Sequence, residues 1–379
     1  MNVLQNSSTV DIKKNNYKII YNLFFRNEKL SKQDVATMLN LSLPTVTQNL
    51  NKLEKKGLIK KDGLFNSQGG RPAAVYTLCA DTILAIGVEI SLKSVKIAAV
   101  NMKGDIVDYA DYDMRFVNDD EYFRTVSTYV SELIDAVSAG SKILGIGISM
   151  QAISTADGTK IIYGKVSDCT GLEIDVFQQH FKYPCKFFHD VKSAANREIW
   201  SKKDLQDAFY LSIGEHLGGA LIINRKIYLG LSGYSGAIEH IVINPRGKLC
   251  YCGKRGCLET YCSLSALLNQ EETADAFFTN LRKKEKTYIR RWKSFLNVLA
   301  LTINHIHLLL NQKFIIGGNI APYLTDEDIM YLYSSIKKKS TFPLEENFIS
   351  ISHIPKDSVT VGAALPFITD YLHSVGIYL

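Results

Sequence analysis

Glu239-His240-Ile241-Val242-Ile243-Asn244-Pro245-Arg246-Gly247-Lys248-Leu249-Cys250-Tyr251-Cys252-Gly253-Lys254-Arg255-Gly256-Cys257-Leu258-Glu259 is the most informative run of the chain. It sets one histidine and three cysteines in a short, turn-rich window. Cys250 and Cys252 alternate around Tyr251, and Gly253 and Gly256 let the backbone curl back towards Cys257. His240 is expected one short strand upstream. Thiolate and imidazole are the donors zinc prefers, and a Cys₃His set is a common closed structural site. The run therefore predicts a structural Zn²⁺ on His240, Cys250, Cys252 and Cys257. Four protein ligands leave no open position for a catalytic metal. The competing readings are a reduced cysteine cluster and a disulfide, the latter disfavoured in a chain that reads as cytosolic. Cys262 is a rival ligand, ranked below His240 because it falls past Glu259 in the helix expected to follow.

Outside this run, composition sets the bounds. A chain of 379 residues with 46% apolar content has room for two or three domains and a substantial core. The first residues are polar and lack an apolar segment flanked by basic residues, so no secretory signal is visible. The apolar run Phe295 to Ile316 is interrupted by Asn297, Asn304, His305, His307, Asn311 and Gln312, which predicts a buried helix leading into a strand rather than a membrane span. The expected compartment is the cytoplasm, with no membrane partner. Net charge is +6, unevenly spread: residues 1–78 carry ten Lys and two Arg against five acids, +7, leaving −1 for the rest. A basic first segment on a near-neutral body points to a polyanionic partner, or to a solvated lysine-rich face.

That segment has the pattern of a winged helix. Tyr17 to Phe25 carries Ile19, Ile20, Leu23 and Phe24 at helical spacing. Ser31 to Asp34 resembles a capping box opening a second helix. Ser42 and Pro44 suit the first turn of a third helix, whose Val46, Leu50 and Leu53 form a core stripe. Thr45, Thr47, Gln48, Asn49, Asn51 and Lys52 are left as candidates for reading base edges and phosphates in a major groove. Lys60 to Gly63 is expected as a hairpin turn, and Ala73 to Leu78 as the return strand. Arg71, in Gly69-Gly70-Arg71-Pro72, is a candidate minor-groove contact, with a simple linker turn as the other reading. A small protein-docking helical domain is the alternative for the segment as a whole.

From Thr82 strands dominate. Ile83 to Ile90, Val95 to Asn101, Ile106 to Tyr109 and Lys142 to Met150 read as strands, with a helix over roughly Asp120 to Ala139. A similar order recurs at Phe209 to Ile213, Ala220 to Ile223 and Lys313 to Ile316, which suggests a duplicated α/β fold with a cleft between lobes.

These residues resemble the ROK family (repressors, open reading frames, kinases), and its repressor branch over essentially the whole chain. Cys250-x-Cys252-Gly-x-x-Gly-Cys257-Leu-Glu259 is the family's most specific motif, His240 falls at its histidine zinc ligand, and Gly69 to Pro72 closes its winged helix. The resemblance implies α/β architecture: an N-terminal winged helix-turn-helix over 1–78, then a two-lobed actin and sugar-kinase-like (ribonuclease H-like) body over 79–379 with a structural zinc. His189-Asp190 falls where family kinases carry Asn-Asp, with Asp190 at their catalytic base. Asp190, His240 and Glu259 match sugar-contacting positions. Together with His189 and Glu239 they are the expected ligand-binding set. Phe314 to Gly318 resembles the glycine turn near the kinases' nucleotide.

Departures from the kinase pattern are informative. The Asp-x-Gly-x-Thr phosphate loop is Glu89-Ile90-Ser91-Leu92-Lys93 here, and the second glycine loop is Gly214-Glu215-His216-Leu217-Gly218-Gly219. The first loop loses the Gly that admits a phosphate, and the second gains a negative charge where phosphate would lie. On the sugar side, Gly-Glu-Ile-Gly-His becomes Gly236-Ala237-Ile238-Glu239-His240, and the usual Pro-Gly becomes Gln151-Ala152. His216, His305 and His307 are assigned no role, and at least one of the latter two is expected as a core histidine. The expectation is a non-enzymatic repressor of carbohydrate-utilisation genes, xylose metabolism among them. It would bind double-stranded operator DNA as a homodimer or homotetramer and respond to a sugar in the interlobe cleft. The alternatives are a sugar kinase with an appended DNA-binding domain and a regulator governed by a protein partner.

Overall fold

The structure, a computed structural model, describes residues 9–65, 73–354 and 357–377. At the N-terminus α1 (Thr9–Arg26), α2 (Lys32–Leu39) and α3 (Leu43–Lys55) surround a small sheet of β1 (Leu30–Ser31), β2 (Ile59–Phe65) and β3 (Ala73–Leu78), in the order β1-β3-β2. Short-range chemistry sets the boundaries. Ser31 Oγ accepts from the Asp34 N–H while the Asp34 carboxylate accepts from the Ser31 N–H, a capping box that starts α2. Ser42 Oγ accepts from the Thr45 N–H and Pro44 sits in the first turn of α3. Val46, Leu50 and Leu53 form its buried stripe.

Two expectations change here. α1 begins at Thr9, well before Tyr17. Lys60 to Gly63 is not the hairpin turn: Lys60 and Lys61 pair with Thr77 and Tyr76, and a bulge between Lys61 and Leu64 carries the strand on to Phe65. The cross-strand pairing outweighs the local turn preference of Asp62-Gly63, and the wing tip, including Arg71, lies outside the described residues.

The body holds two five-stranded sheets of the same design. The first runs β10-β7-β4-β5-β6, from β4 (Ile83–Ile90), β5 (Ser94–Asn101), β6 (Ile106–Asp113), β7 (Lys142–Met150) and β10 (Cys185–His189). A small hairpin of β8 (Ile153–Ser154) and β9 (Ile161–Tyr163) stands beside it, with α4 (Asp120–Val137) and the short α5 (Asp175–Gln178) covering one face. After α6 (Asp190–Ser201) comes the second sheet, ordered β13-β12-β11-β14-β15: β11 (Ala208–Ile213), β12 (Leu217–Ile223), β13 (Lys226–Ile227), β14 (Lys313–Gly317) and β15 (Ile349–Ile351). Its helices are α7 (Glu259–Cys262), α8 (Leu264–Leu267), α9 (Ala274–Arg282), α10 (Lys286–Leu310) and α11 (Asp326–Lys337). In each sheet two neighbouring pairs are parallel and two antiparallel, with one strand (β5 or β12) running against the other four, so the duplication read from the sequence is a structural one. β6 runs on past Tyr109 because Ser94 to Ala98 give it pairing partners as far as Asp113.

Among the described residues α10 alone is long and apolar enough to cross a membrane, but Trp292, Phe295, Leu296, Leu299, Ile303 and Ile306 are buried in the second lobe's core, which makes it a core helix. His307 is the expected core histidine, its Nδ1 3.2 Å from the Gln312 carbonyl oxygen.

The C-terminal helix α12 (Ser358–Ser374) ties these parts together. It packs along α6 and against β4, β5 and β7. The approach is so close that a Cβ on Gly362 would overlap the Ser193 carbonyl. On its other side Val361, Leu365, Ile368 and Leu372 share one core with Ile20, Tyr21 and Phe24 of α1 and Ala98, Val100 and Met102 of the first lobe.

Candidate functional site

The Cys/His loop closes as its glycines require. Gly256 has φ +76°, and any side chain there would overlap the Asn244 carbonyl. Ile243 N–H donates to Gly256 O, Leu258 N–H to Ile241 O and Cys250 N–H to Lys254 O. His240 is joined to the loop by a single bridge, Val242 to Cys257, rather than by the short strand expected. The ligand atoms of His240, Cys250, Cys252 and Cys257 lie within 4.8 Å of one another, so this set could hold a metal ion. Cys252 Sγ is 3.6 Å from Cys257 Sγ, and Cys250 Sγ is 3.8 Å from His240 Nδ1. Two donors 2.3 Å from a tetrahedral centre stand about 3.8 Å apart, so both spacings suit one ion. Burial pushes the Cys250 thiol up to about 12. Burial opposes ionisation of Cys252 as well, but the Lys254 N–H and the neighbouring thiols outweigh it and lower its pKa. Cys262 is not in the cluster; its side chain is fully buried in α7.

His240 faces two ways. Nδ1 points to Cys250, while Nε2 is buried without a partner. Glu239, Glu259 and Asp190 lie near one another, close enough for their charges to interact. Asp190 opens α6 at the end of β10; its Oδ1 accepts from the Val191 N–H at 2.8 Å and stands 3.3 Å from His189 Nε2. Burial pushes the Asp190 carboxyl up to about 7, the Glu89 charge adding to the effect. Burial holds His189 down at about 3, so it is neutral, and its Nδ1 has no partner. Glu239, 5% exposed, is raised to about 7 by burial, with the charges of Glu259 and Asp190 reinforcing it, and its Oε2 is also unpartnered. Glu259, at the start of α7 and 4% exposed, is already engaged: Oε1 meets His216 Nδ1 at 2.8 Å and Oε2 accepts from the Leu217 N–H at 2.8 Å.

His216 is thus a site residue that sequence reasoning passed over. Burial works against its charged form, but the Glu259 hydrogen bond and charge more than offset this, so its pKa is raised. Lys192 was also missed. It is buried, donates Nζ to the Gly233 carbonyl, and is lowered to about 8 by burial against the pull of Glu239. Neither is visible in the sequence, because both partners arrive from distant loops. Tyr163 and Tyr251 flank His240 at ring separations of 5.7 and 5.2 Å.

Three buried atoms among these residues therefore lack partners: His189 Nδ1, Glu239 Oε2 and His240 Nε2. Each such group left unmet costs roughly 1–3 kcal/mol. A ligand rich in hydroxyls, which both donate and accept, suits such a set. The phosphate-loop region is different. Ser91 Oγ accepts from the Lys93 and Ser94 N–H groups, and the Ser91 N–H donates to Ser94 O, so these amides are spent within the turn. Glu89 Oε2 accepts from Thr360 Oγ1 at 2.8 Å.

On α3, Gln48, Asn51 and Lys52 are exposed, with Thr45 and Thr47 half-buried. Asn49 departs from the expected reading face. It is 5% exposed and its side-chain amide donates to the Thr45 carbonyl at 2.8 Å. It sits beside Leu50 on the buried stripe, one position off the polar face. Lys55 and Lys56 extend the exposed basic edge.

Comparisons with known proteins bear on both halves. The ROK family profile matches residues 85–368, and a winged helix-turn-helix DNA-binding profile matches residues 15–60. The xylose repressor of Caldicellulosiruptor bescii is 23% identical, covering 95% of this chain and 97% of its own length. Among solved structures, a ROK family transcriptional regulator described as a homologue of the E. coli MLC protein superposes with a TM-score of 0.74 at 19% identity, covering 96% of this chain and 97% of its own. A ROK family glucokinase from Streptomyces griseus in complex with glucose and AMPPNP gives 0.64 at 18% identity, covering 75% and 98%. At these identities the superpositions speak for the fold.

Proposed function

The chain belongs to the ROK family, and from that premise we propose that it is a sugar-responsive transcriptional repressor of carbohydrate-utilisation genes, xylose metabolism among them. Residues 1–78 bind operator DNA, through Gln48, Asn51 and Lys52 with Thr45 and Thr47, and through Arg71. Residues 79–379 bind the effector and oligomerise, as a homodimer or homotetramer, so that two recognition helices reach half-sites about 34 Å apart. The compartment is the cytoplasm.

The observation that carries the ligand reading is the set of unpartnered buried atoms on His189, Glu239 and His240 beside the raised carboxyl of Asp190. Sugar hydroxyls donate to the carboxylates and accept from the imidazoles. His240 Nδ1 and the three cysteines would hold a Zn²⁺, which would fix the imidazole and leave Nε2 for the sugar. The protein acts without phosphoryl transfer, because the turn amides that would cradle a phosphate are donated to Ser91 and Ser94. Closure of the lobes on the sugar moves α6, which opens with Asp190. α12 lies between α6 and α1 and carries that movement to the DNA-binding helices. The effector shifts DNA affinity only as far as it binds the two lobe arrangements unequally.

The test is a fluorescence-anisotropy titration of the full chain on an operator selected from genomic fragments, repeated with xylose, glucose and N-acetylglucosamine. One sugar is expected to shift the operator affinity at least several-fold. Unchanged operator binding with every sugar, together with no thermal stabilisation by any, would transfer control to a protein partner. ATP turnover above background would restore the kinase alternative.

A further inference from the structure

A cavity of about 930 Å³ adjoins the sugar site at His189 and Lys192. None of Asp190, Glu239, His240 and Glu259 lines it. Its walls come from α6, α12, the β8–β9 hairpin, the β12–β13 turn and, at the far end, Phe25 of α1. Six cations line it: Lys103, Lys186, Lys192, Lys203, Arg225 and Lys226. They stand against three carboxylates, Asp105, Asp157 and Asp370. None of the five lysines makes an ion pair among the described residues. Arg225 is committed elsewhere, donating to carbonyls at the end of α6. Asp157 is likewise occupied, accepting from Thr155 and Thr159.

One polar side chain is left without an internal partner at this wall. The Asn196 side-chain amide, half-buried at mid-helix, has no hydrogen-bond partner among the described residues. Trp200 offers an indole whose N–H is already held by the Lys103 carbonyl at 2.8 Å, which leaves its ring for packing. Unpaired lysines act on phosphate as point charges, and a cavity of this size, with an aromatic wall and a free amide, accommodates more than a bare ion.

We propose that this cavity is a second effector site, adjoining the sugar site, for a small phosphorylated sugar. Its occupant touches both lobes, α12 and, through Phe25, helix α1 of the winged-helix segment. Leu372 and Ile377 in its wall belong to the core shared with Phe24 and Tyr21. A ligand there biases the placement of the winged helix directly, without passing through Asp190.

The chain has two tryptophans, so Trp292→Phe leaves Trp200 as the sole reporter. Its fluorescence is titrated with ribose 5-phosphate and glucose 6-phosphate, with ribose, glucose and inorganic phosphate as controls. Calorimetry on the unsubstituted chain covers any instability of the reporter variant. The expected result is saturable binding of at least one sugar phosphate, tighter than inorganic phosphate and not matched by the neutral sugar. The double variant Lys186→Gln/Lys203→Gln alters exposed side chains and should weaken that binding roughly tenfold or more, while Asp190→Asn leaves it intact. No saturable binding, binding no tighter than inorganic phosphate, or equal binding of the neutral sugar overturns the proposal. So does loss on Asp190→Asn with the double variant unaffected, which places the anion in the cleft.

Discussion

Replacing Asp190 by Asn should stabilise the ligand-free protein while weakening its response to sugar, and the stabilisation should depend on pH. Burial lifts the folded-state pKa of Asp190 to about 7 from the 3.8 of a free aspartate side chain. Below about pH 4 the carboxyl is protonated in both the folded and unfolded states and contributes nothing. Between about 4 and 7 the unfolded chain ionises and the folded one does not, so stability falls as pH rises. Above 7 the penalty is complete. At 1.36 kcal/mol for each tenfold change in ionisation, the rise sets a ceiling of about 4 kcal/mol. The side chain is 27% exposed, so solvent screens part of this, and about 2 kcal/mol is expected. Asn carries no such charge. Urea denaturation of both proteins at pH 4.5, 6 and 8 (about 2 kcal/mol being readily resolved) should show the variant gaining stability with pH and levelling off near 8. Sugar binding should weaken on the order of tenfold to a hundredfold, as for loss of a charged hydrogen bond. A stability difference that is flat across pH, or that favours the unsubstituted chain more at pH 8 than at 4.5, would refute the idea that Asp190 is held at a desolvation cost for a ligand's sake.

Cys257→Ser should abolish zinc retention and lower thermal stability; full metal content by elemental analysis would remove Cys257 from the ligand set. Gln48→Ala and Lys52→Ala should weaken operator binding without unfolding, and Lys52→Ala should also reduce the salt slope by about one; an unchanged slope places Lys52 off the phosphates. Asn49→Ala should instead cost about 1 kcal/mol of stability, because it removes the hydrogen bond to Thr45, measured by thermal unfolding of the full chain. Gly362→Ala should cost roughly 1–3 kcal/mol by pushing α12 off Ser193, and it should loosen the link between sugar and operator binding; retention of both in combined anisotropy and denaturation measurements would argue against α12 as the connection.

Much of this molecule was legible because its signals are local. The capping box at Ser31, the Ser42-Pro44 helix start and the Val46-Leu50-Leu53 stripe act over one or two turns, and they form as the residues dictate. The Cys₃His loop is equally local: its glycines bring Cys250, Cys252 and Cys257 together within eight residues. Asn49 shows where local reading stops. Its polarity places it with the reading face, while a helix register one position away places it in the core. At Lys60 to Gly63 the turn-forming residues were overruled by a partner strand that the sequence alone does not rank.

Sequence alone determined the family, the two-part organisation, the donor types of the Cys₃His loop and the loss of the phosphate-loop glycine and threonine, because each is written in adjacent residues. Tertiary structure decided which of those residues are occupied. Glu259 is taken by His216 and Leu217, Lys192 is held by Gly233, and Glu239 and His240 are left with unmet polar atoms. Those states depend on loops dozens of residues apart meeting in a dry cleft, where desolvation moves pKa values and an unpaired group is expensive. The joining of α1 to α6 through α12 is likewise a product of packing alone, since apolar side chains name no partner until the chain has folded.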